Sequence, residues 1–95
     1  MQPADPDILE TWRKMAPSAL SAAIAMLTER QRATLCGRRG LDPRNPLSRR
    51  RRAVRSLSQI GRTIGVRASN VPYYERSAMT RLPALMREVL NRGAD

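Results

Sequence analysis

The chain lacks histidine and phenylalanine, and it has one cysteine, one lysine and three aromatic residues in all. Each shortage closes a class of function. Without histidine and with Cys36 alone, no Cys/His cluster can hold a structural zinc and no internal disulfide can form. The same shortage leaves no imidazole to activate a nucleophile, and no glycine-rich phosphate loop is present. The chain therefore reads as a non-enzyme that needs no cofactor. Cys36 reads as a small, half-buried apolar residue. No apolar run approaches the ~20 residues of a membrane span. The N-terminus, MQPADPD, is acidic, unlike the basic head of a secretory signal. The expected location is cytoplasmic.

Acidic residues are scarce as well: eight Asp and Glu stand against eighteen Lys and Arg, a net charge of +10. The excess is localised. Residues 29–76 hold thirteen basic and three acidic side chains, whereas residues 1–28 hold two and three, and residues 77–95 three and two. A basic field confined to one segment is the electrostatic footprint of a nucleic-acid binder. An anionic membrane would also attract it, but needs bulky apolar residues opposite the arginines. The run Arg49-Arg50-Arg51-Arg52 has no such face, so membrane contact is not expected.

Ninety-five residues make one domain with a small core, burying about two-thirds of the unfolded surface. Residues 1–6 read as a tail, and Asp7 can cap a first helix to about Met15 with Ile8, Leu9, Trp12 and Met15 near one face. Pro17 stops it and suits the start of a second helix, Ser18 to about Met26. Thr28 and Gln31 form a capping box for a third, ended by Gly40 near Arg38. Residues 41–48 (LDPRNPLS) are turn chemistry, and Arg49 to Ser56 is a basic loop or short solvated helix. Beyond residue 76 the spacing predicts a helix to Leu82, an interruption at Pro83, and a last amphipathic piece from Ala84 to Arg92. No strand-like alternation appears. The expected fold is all-α, a bundle of about five helices, with residues 1–18 as tail and helix, residues 19–95 as the main domain, and a basic linker over 42–56.

The densest signal is LSQIGRTIGVRASNVPYYE, Leu57 to Glu75. Ile60 and Ile64 share one helix face. Gly61 lets a second helix cross closely, Gly65 ends the first helix in a left-handed conformation, and Val66 plugs the turn. Val71 and Tyr74 lie three apart on the inner face of the second helix. This is the spacing of a DNA-reading helix-turn-helix. Pro72 has no amide hydrogen and belongs in a first turn, so Ser69 or Asn70 is the expected N-cap.

With the preceding ALSAAIAMLTERQRATLCGRRGL, the segment resembles region 4 of primary-type bacterial sigma factors over roughly Ala19 to Leu82. The matching positions include Leu57, Ile60, Gly61, Gly65, Val66, Val71, Glu75, Ala78, Arg81 and Leu82. GVRASNVPYYER is also similar, over a shorter span, to the recognition segment of MerR-type regulators. The sigma resemblance implies a transcription regulator on double-stranded DNA, with docking on RNA polymerase. Where that family carries charged or amide residues for base contact, this chain has Ala68, Ser69, Pro72 and Tyr73. That departure motivates the alternative of a polymerase-binding adaptor, or sigma mimic, that does not read bases.

The expected DNA contacts follow from charge and position. Arg49, Arg50, Arg51, Arg52 and Arg55 form a phosphate-gripping arm, Arg38 and Arg67 add phosphate contacts, and Ser69, Asn70, Tyr73 and Arg76 lie at the groove. Tyr74 is expected inside, and Glu75 as a structural partner for an arginine. Leu82, Leu85, Met86, Val89 and Leu90 make an apolar stripe. Folding of Leu9, Trp12 and Met15 onto it gives a monomer, preferred here to a homodimer.

Overall fold

Punctuation in the sequence sets the helix ends. The computed structural model of the protein describes residues 8–46, 48 and 52–93. Among them the chain forms α1 (Ile8–Met15), α2 (Pro17–Ala25), α3 (Glu29–Arg39), α4 (Leu57–Ile64), a 3-10 turn (Ala68–Asn70) and α5 (Val71–Asn91). The fold is all-α, as the sequence implies. Its one extended pairing among these residues is an isolated bridge between Asp42 and Asn45. The proposed tail, the Asp7 cap and Arg49 to Arg51 lie outside the described residues.

Pro17 opens α2, where its missing amide hydrogen costs nothing. Both expected glycine stops hold: Gly40 closes α3 at φ +67° and Gly65 closes α4 at φ +76°. In each case the next residue donates back into the helix, Leu41 to the Cys36 carbonyl and Val66 to the Gly61 carbonyl, at 2.8 and 2.9 Å. These bonds satisfy carbonyls that a helix end otherwise leaves bare. The Thr28–Gln31 capping box is present, and α4 has a second one, Ser56 with Gln59.

Two apolar clusters organise the packing. The larger gathers Leu9 of α1, Leu20, Ala23 and Ile24 of α2, Leu35 and Cys36 of α3, and Ala78, Leu82, Leu85 and Val89 of α5, with Trp12 packed against it. The smaller joins Ile60 and Ile64 to Val71, with Leu57, Val66 and Tyr74 around them. Helix α5 belongs to both and ties the clusters together. A fully buried Leu or Ile, such as Leu35, Ile60 or Leu82, contributes about 1.5–3 kcal/mol.

Four expectations need correction. Pro83 does not interrupt the last helix: α5 runs unbroken from Val71 to Asn91. Proline removes one helical hydrogen bond, the one to the Met79 carbonyl. Met79 and Leu82 before it, and Leu85 and Met86 after it, are all buried, and this burial outweighs the lost bond. Met15 does not fold onto the C-terminal stripe but is 78% exposed. The stripe packs into the larger cluster with residues of α1, α2 and α3, while Leu90 stays 45% exposed. Gly61 is required by the turn that follows α4, not by a crossing helix. A Cβ there would sit 2.7 Å from the Val66 carbonyl oxygen and 3.3 Å from the Ala68 nitrogen. Finally, Asn70 is the N-cap residue of α5, as expected, but neither it nor Ser69 caps with its side chain. A 3-10 turn leads in instead, with the Val71 amide bonded to the Ala68 carbonyl. Val71 and Pro72 then occupy the first helical positions, and Pro72 costs no hydrogen bond.

No described helix is long and apolar enough to cross a membrane. No group of three or more His, Cys, Asp or Glu among the described residues can hold a metal ion.

Two measurements probe this packing. Gly61→Ala forces backbone against backbone, and urea unfolding should show a loss of about 1–3 kcal/mol. Unchanged stability would contradict the close approach. Cys36 is fully buried, and desolvation pushes its thiol from 9.0 to about 11, against a smaller lowering by Arg32. The unfolded thiol ionises first, so its contribution is complete below pH about 9 and is lost as pH rises through about 11. Cys36→Ser should flatten that part of the stability profile. Thiol reagents at pH 8 should modify the wild-type chain only after unfolding.

Candidate nucleic-acid interface

The cationic segment is folded around the corner between α3, α4 and the head of α5. Arginines crowd this corner because the chain supplies few acids to oppose them. Glu29 stands in the first turn of α3, where the helix dipole favours negative charge. Asp42 and Glu75 each hold one arginine: Arg52 Nη2 lies 3.5 Å from Asp42 Oδ2, and Arg38 Nε 3.7 Å from Glu75 Oε1. Arg44, Arg55, Arg62, Arg67 and Arg76 have no ion-pair partner among the described residues.

The expected contact residues fall into three groups. Ser69, Asn70, Tyr73 and Arg76 are exposed at the head of α5, with Arg67 just before the 3-10 turn. Tyr73 and Arg76 are three apart and share the outward face with Thr80, which is half-buried. Arg52 and Arg55 form a second group on the extended stretch before α4, not on a helix. Their amides donate to the Gly40 and Gly37 carbonyls at 2.8 and 2.9 Å, which fixes this stretch along the C-terminal end of α3. Arg49, Arg50 and Arg51 lie outside the described residues. Arg38 stands apart from both groups. It is half-buried against Glu75, the structural partnership expected of that acid, and its Nε makes no hydrogen bond.

Between α3 and the arginine stretch lies a shallow cavity of about 110 Å³, lined by Ala33, Gly37, Arg52, Ala53, Arg55 and Thr63 among others. It is too small for a cofactor of nucleotide size.

The orientation of α5 depends on side chains that sequence reasoning treated separately. Gln31 is 7% exposed. Its Oε1 accepts from the Thr28 amide at 3.1 Å and from Arg81 Nη1 at 2.6 Å, and its Nε2 donates to Ser77 Oγ at 2.7 Å. Arg30 Nη1 donates to the Tyr74 hydroxyl at 3.3 Å, with its guanidinium 5.9 Å from the ring centre. Tyr74 thus turns inward and Tyr73 outward, as expected. Sequence reasoning also passed over Arg62, exposed on α4. Its signal was positional, since it follows Gly61 and falls away from the Ile60–Ile64 face.

No protein-family model, no curated protein and no solved structure matches the chain. The geometry of this corner therefore carries the functional reading.

Replacing Gln31 with leucine keeps the bulk but strands the Thr28 amide, Ser77 and Arg81 together. We expect a loss of about 2–4 kcal/mol in chemical unfolding, since three bonds go and one of them is charge-assisted. A loss confined to the cap, about 1 kcal/mol, would show that the ties to α5 contribute little.

Proposed function

We propose that the protein is a DNA-binding transcription regulator in which α4, the turn and α5 act as a helix-turn-helix of the sigma region 4 kind. The head of α5, from Ser69 to Arg76, enters the major groove, and the arginine arm grips phosphates. One observation carries the reading. Arg44, Arg55, Arg62, Arg67 and Arg76, all exposed and without ion-pair partners among the described residues, accompany an exposed helix head next to a turn that Gly61 and Gly65 hold tight. Phosphates are the partner such cations lack among the described residues. Arg67 and Arg76 flank the head, while Arg52, Arg55 and the adjoining run supply the arm. With the C-terminal stripe largely covered from within the chain, the regulator acts as a monomer, in the cytoplasm. The partial likeness to MerR-type regulators concerns the same helix head and leads to the same class of partner.

A second reading has its own motive: Ala68, Ser69 and Pro72 are neutral where base-reading helices usually carry charge. In it, the chain docks on RNA polymerase as an adaptor and leaves DNA sequence unread. Retention on core polymerase without any sequence preference on DNA supports the adaptor, and absence of retention removes it.

The first reading is tested by salt. With about six phosphates neutralised, log affinity for duplex DNA plotted against log salt should fall with a slope near about −5. Affinity that ignores salt sinks the proposal. Changing Arg49 to Arg52 together to alanine should weaken binding on all sequences alike and reduce that slope. Asn70 and Tyr73 variants should instead change the preference among sequences.

A further inference from the structure

The exposed head of α5 has an unusual composition for a surface facing DNA. Ser69, Asn70, Pro72 and Tyr73 are all exposed and all uncharged. Two of them present apolar rings, and both rings are held in place. Pro72 has no rotatable side chain and sits in the first turn of the helix. Tyr73 is 69% exposed, yet its ring meets Tyr74 edge-on, with centroids 5.3 Å apart and planes at 84°. Tyr74 is in turn gripped by Arg30 and packed against Ile60, Ile64 and Val71. An exposed aromatic oriented in this way loses little freedom when it binds.

The major groove offers such a patch one apolar target. Each base pair presents its own donors and acceptors there, but only thymine adds a methyl group. Guanine is read best by the fork of an arginine or lysine, which none of these four positions supplies, whereas an asparagine amide suits the N6 and N7 edge of adenine. We infer that Pro72 and Tyr73 recognise the thymine 5-methyl group and Asn70 the adenine edge, so that the chain selects sites centred on A·T pairs. This inference rests on the DNA-reading function proposed above and adds the base class to it. Arg67 and Arg76 then serve the flanking phosphates.

Deoxyuridine supplies the test. It differs from thymidine by the methyl group alone and keeps the pairing and the groove hydrogen-bonding groups. A random-duplex selection with the full chain identifies a preferred site, and each of its thymines is then replaced singly by deoxyuridine. At least one replacement should weaken binding about fourfold, the equivalent of about 0.8 kcal/mol for one buried methyl-sized group. A Pro72→Ala, Tyr73→Ser double variant should lose that sensitivity. The replacements in the wild-type chain decide the matter even if the variant folds poorly. A preferred site in which no replacement changes affinity overturns the inference, as does salt-dependent binding with no sequence preference. Both outcomes leave the phosphate-gripping function standing. Failure to bind any duplex overturns that function, and this inference with it.

Discussion

The placement of α5 runs through one side-chain amide. Gln31 closes the first turn of α3 through Thr28 and, from the same buried position, holds Ser77 and Arg81 of α5. A buried amide bonded at both ends has little freedom to shift, because any displacement strands a polar group where water cannot replace the partner. Tyr74, Ser77 and Arg81 recur at helical spacing on one side of α5, and all three are met by Arg30 or Gln31. The rotation of α5 about its axis is thereby set. With that side committed to α3, and with Val71, Ala78 and Leu82 committed to the core, Tyr73 and Arg76 face outward.

Charge is managed with the same economy. Within residues 29–76 each acid has a definite place: Glu29 at a helix start, Asp42 against Arg52, Glu75 against Arg38. Partly exposed ion pairs with separations of 3.5–3.7 Å contribute about 1 kcal/mol or less each, so they orient arginines more than they stabilise the fold. The remaining cations repel one another across a small surface. Such repulsion costs folding energy, and a polyanion lying on the surface relieves it.

Much of this was legible in the sequence because it is written in local terms. Capping boxes, glycine stops and the proline start of α2 depend on residues at most a few positions apart, and their geometry follows from backbone chemistry alone. The inward Tyr74 and outward Tyr73 followed from helical spacing. The readings that failed at Pro83 and Met15, and the part of Gln31 that was missed, involve distant partners, whereas the close approach at Gly61 is made only five and seven residues further on. Pro83 carries a strong local signal to stop, and only burial on both sides of it, by residues of α2 and α3, overrides that signal. Met15 lies at the right spacing for the apolar face of α1, but α2 had already covered the stripe it was expected to reach. Gln31 was read as a cap, whereas Ser77 and Arg81, forty-six and fifty residues further on, left no mark in the pattern. For the candidate interface, composition and position located the arginines. The division of Arg38 from the others needed the fold, since its pairing with Glu75 crosses from α3 to α5.

The contact between the Arg52 amide and the Gly40 carbonyl has a further consequence. Together with the Asp42–Arg52 pair, it brings the chain back at Arg52 to the point it left at Gly40. The start of α4 is therefore set against the end of α3 across a closed neck, while Arg13 Nη2, donating to the Ser48 carbonyl at 2.9 Å, ties the intervening chain to α1. Loop closure is forgiving, with each doubling of length costing only about 0.6 kcal/mol. The neck uncouples the size of the arginine-bearing loop from the architecture beneath it. Residues added between Ser48 and Arg52 can lengthen the cationic reach of the protein while the frame of α3, α4 and α5 stays as it is.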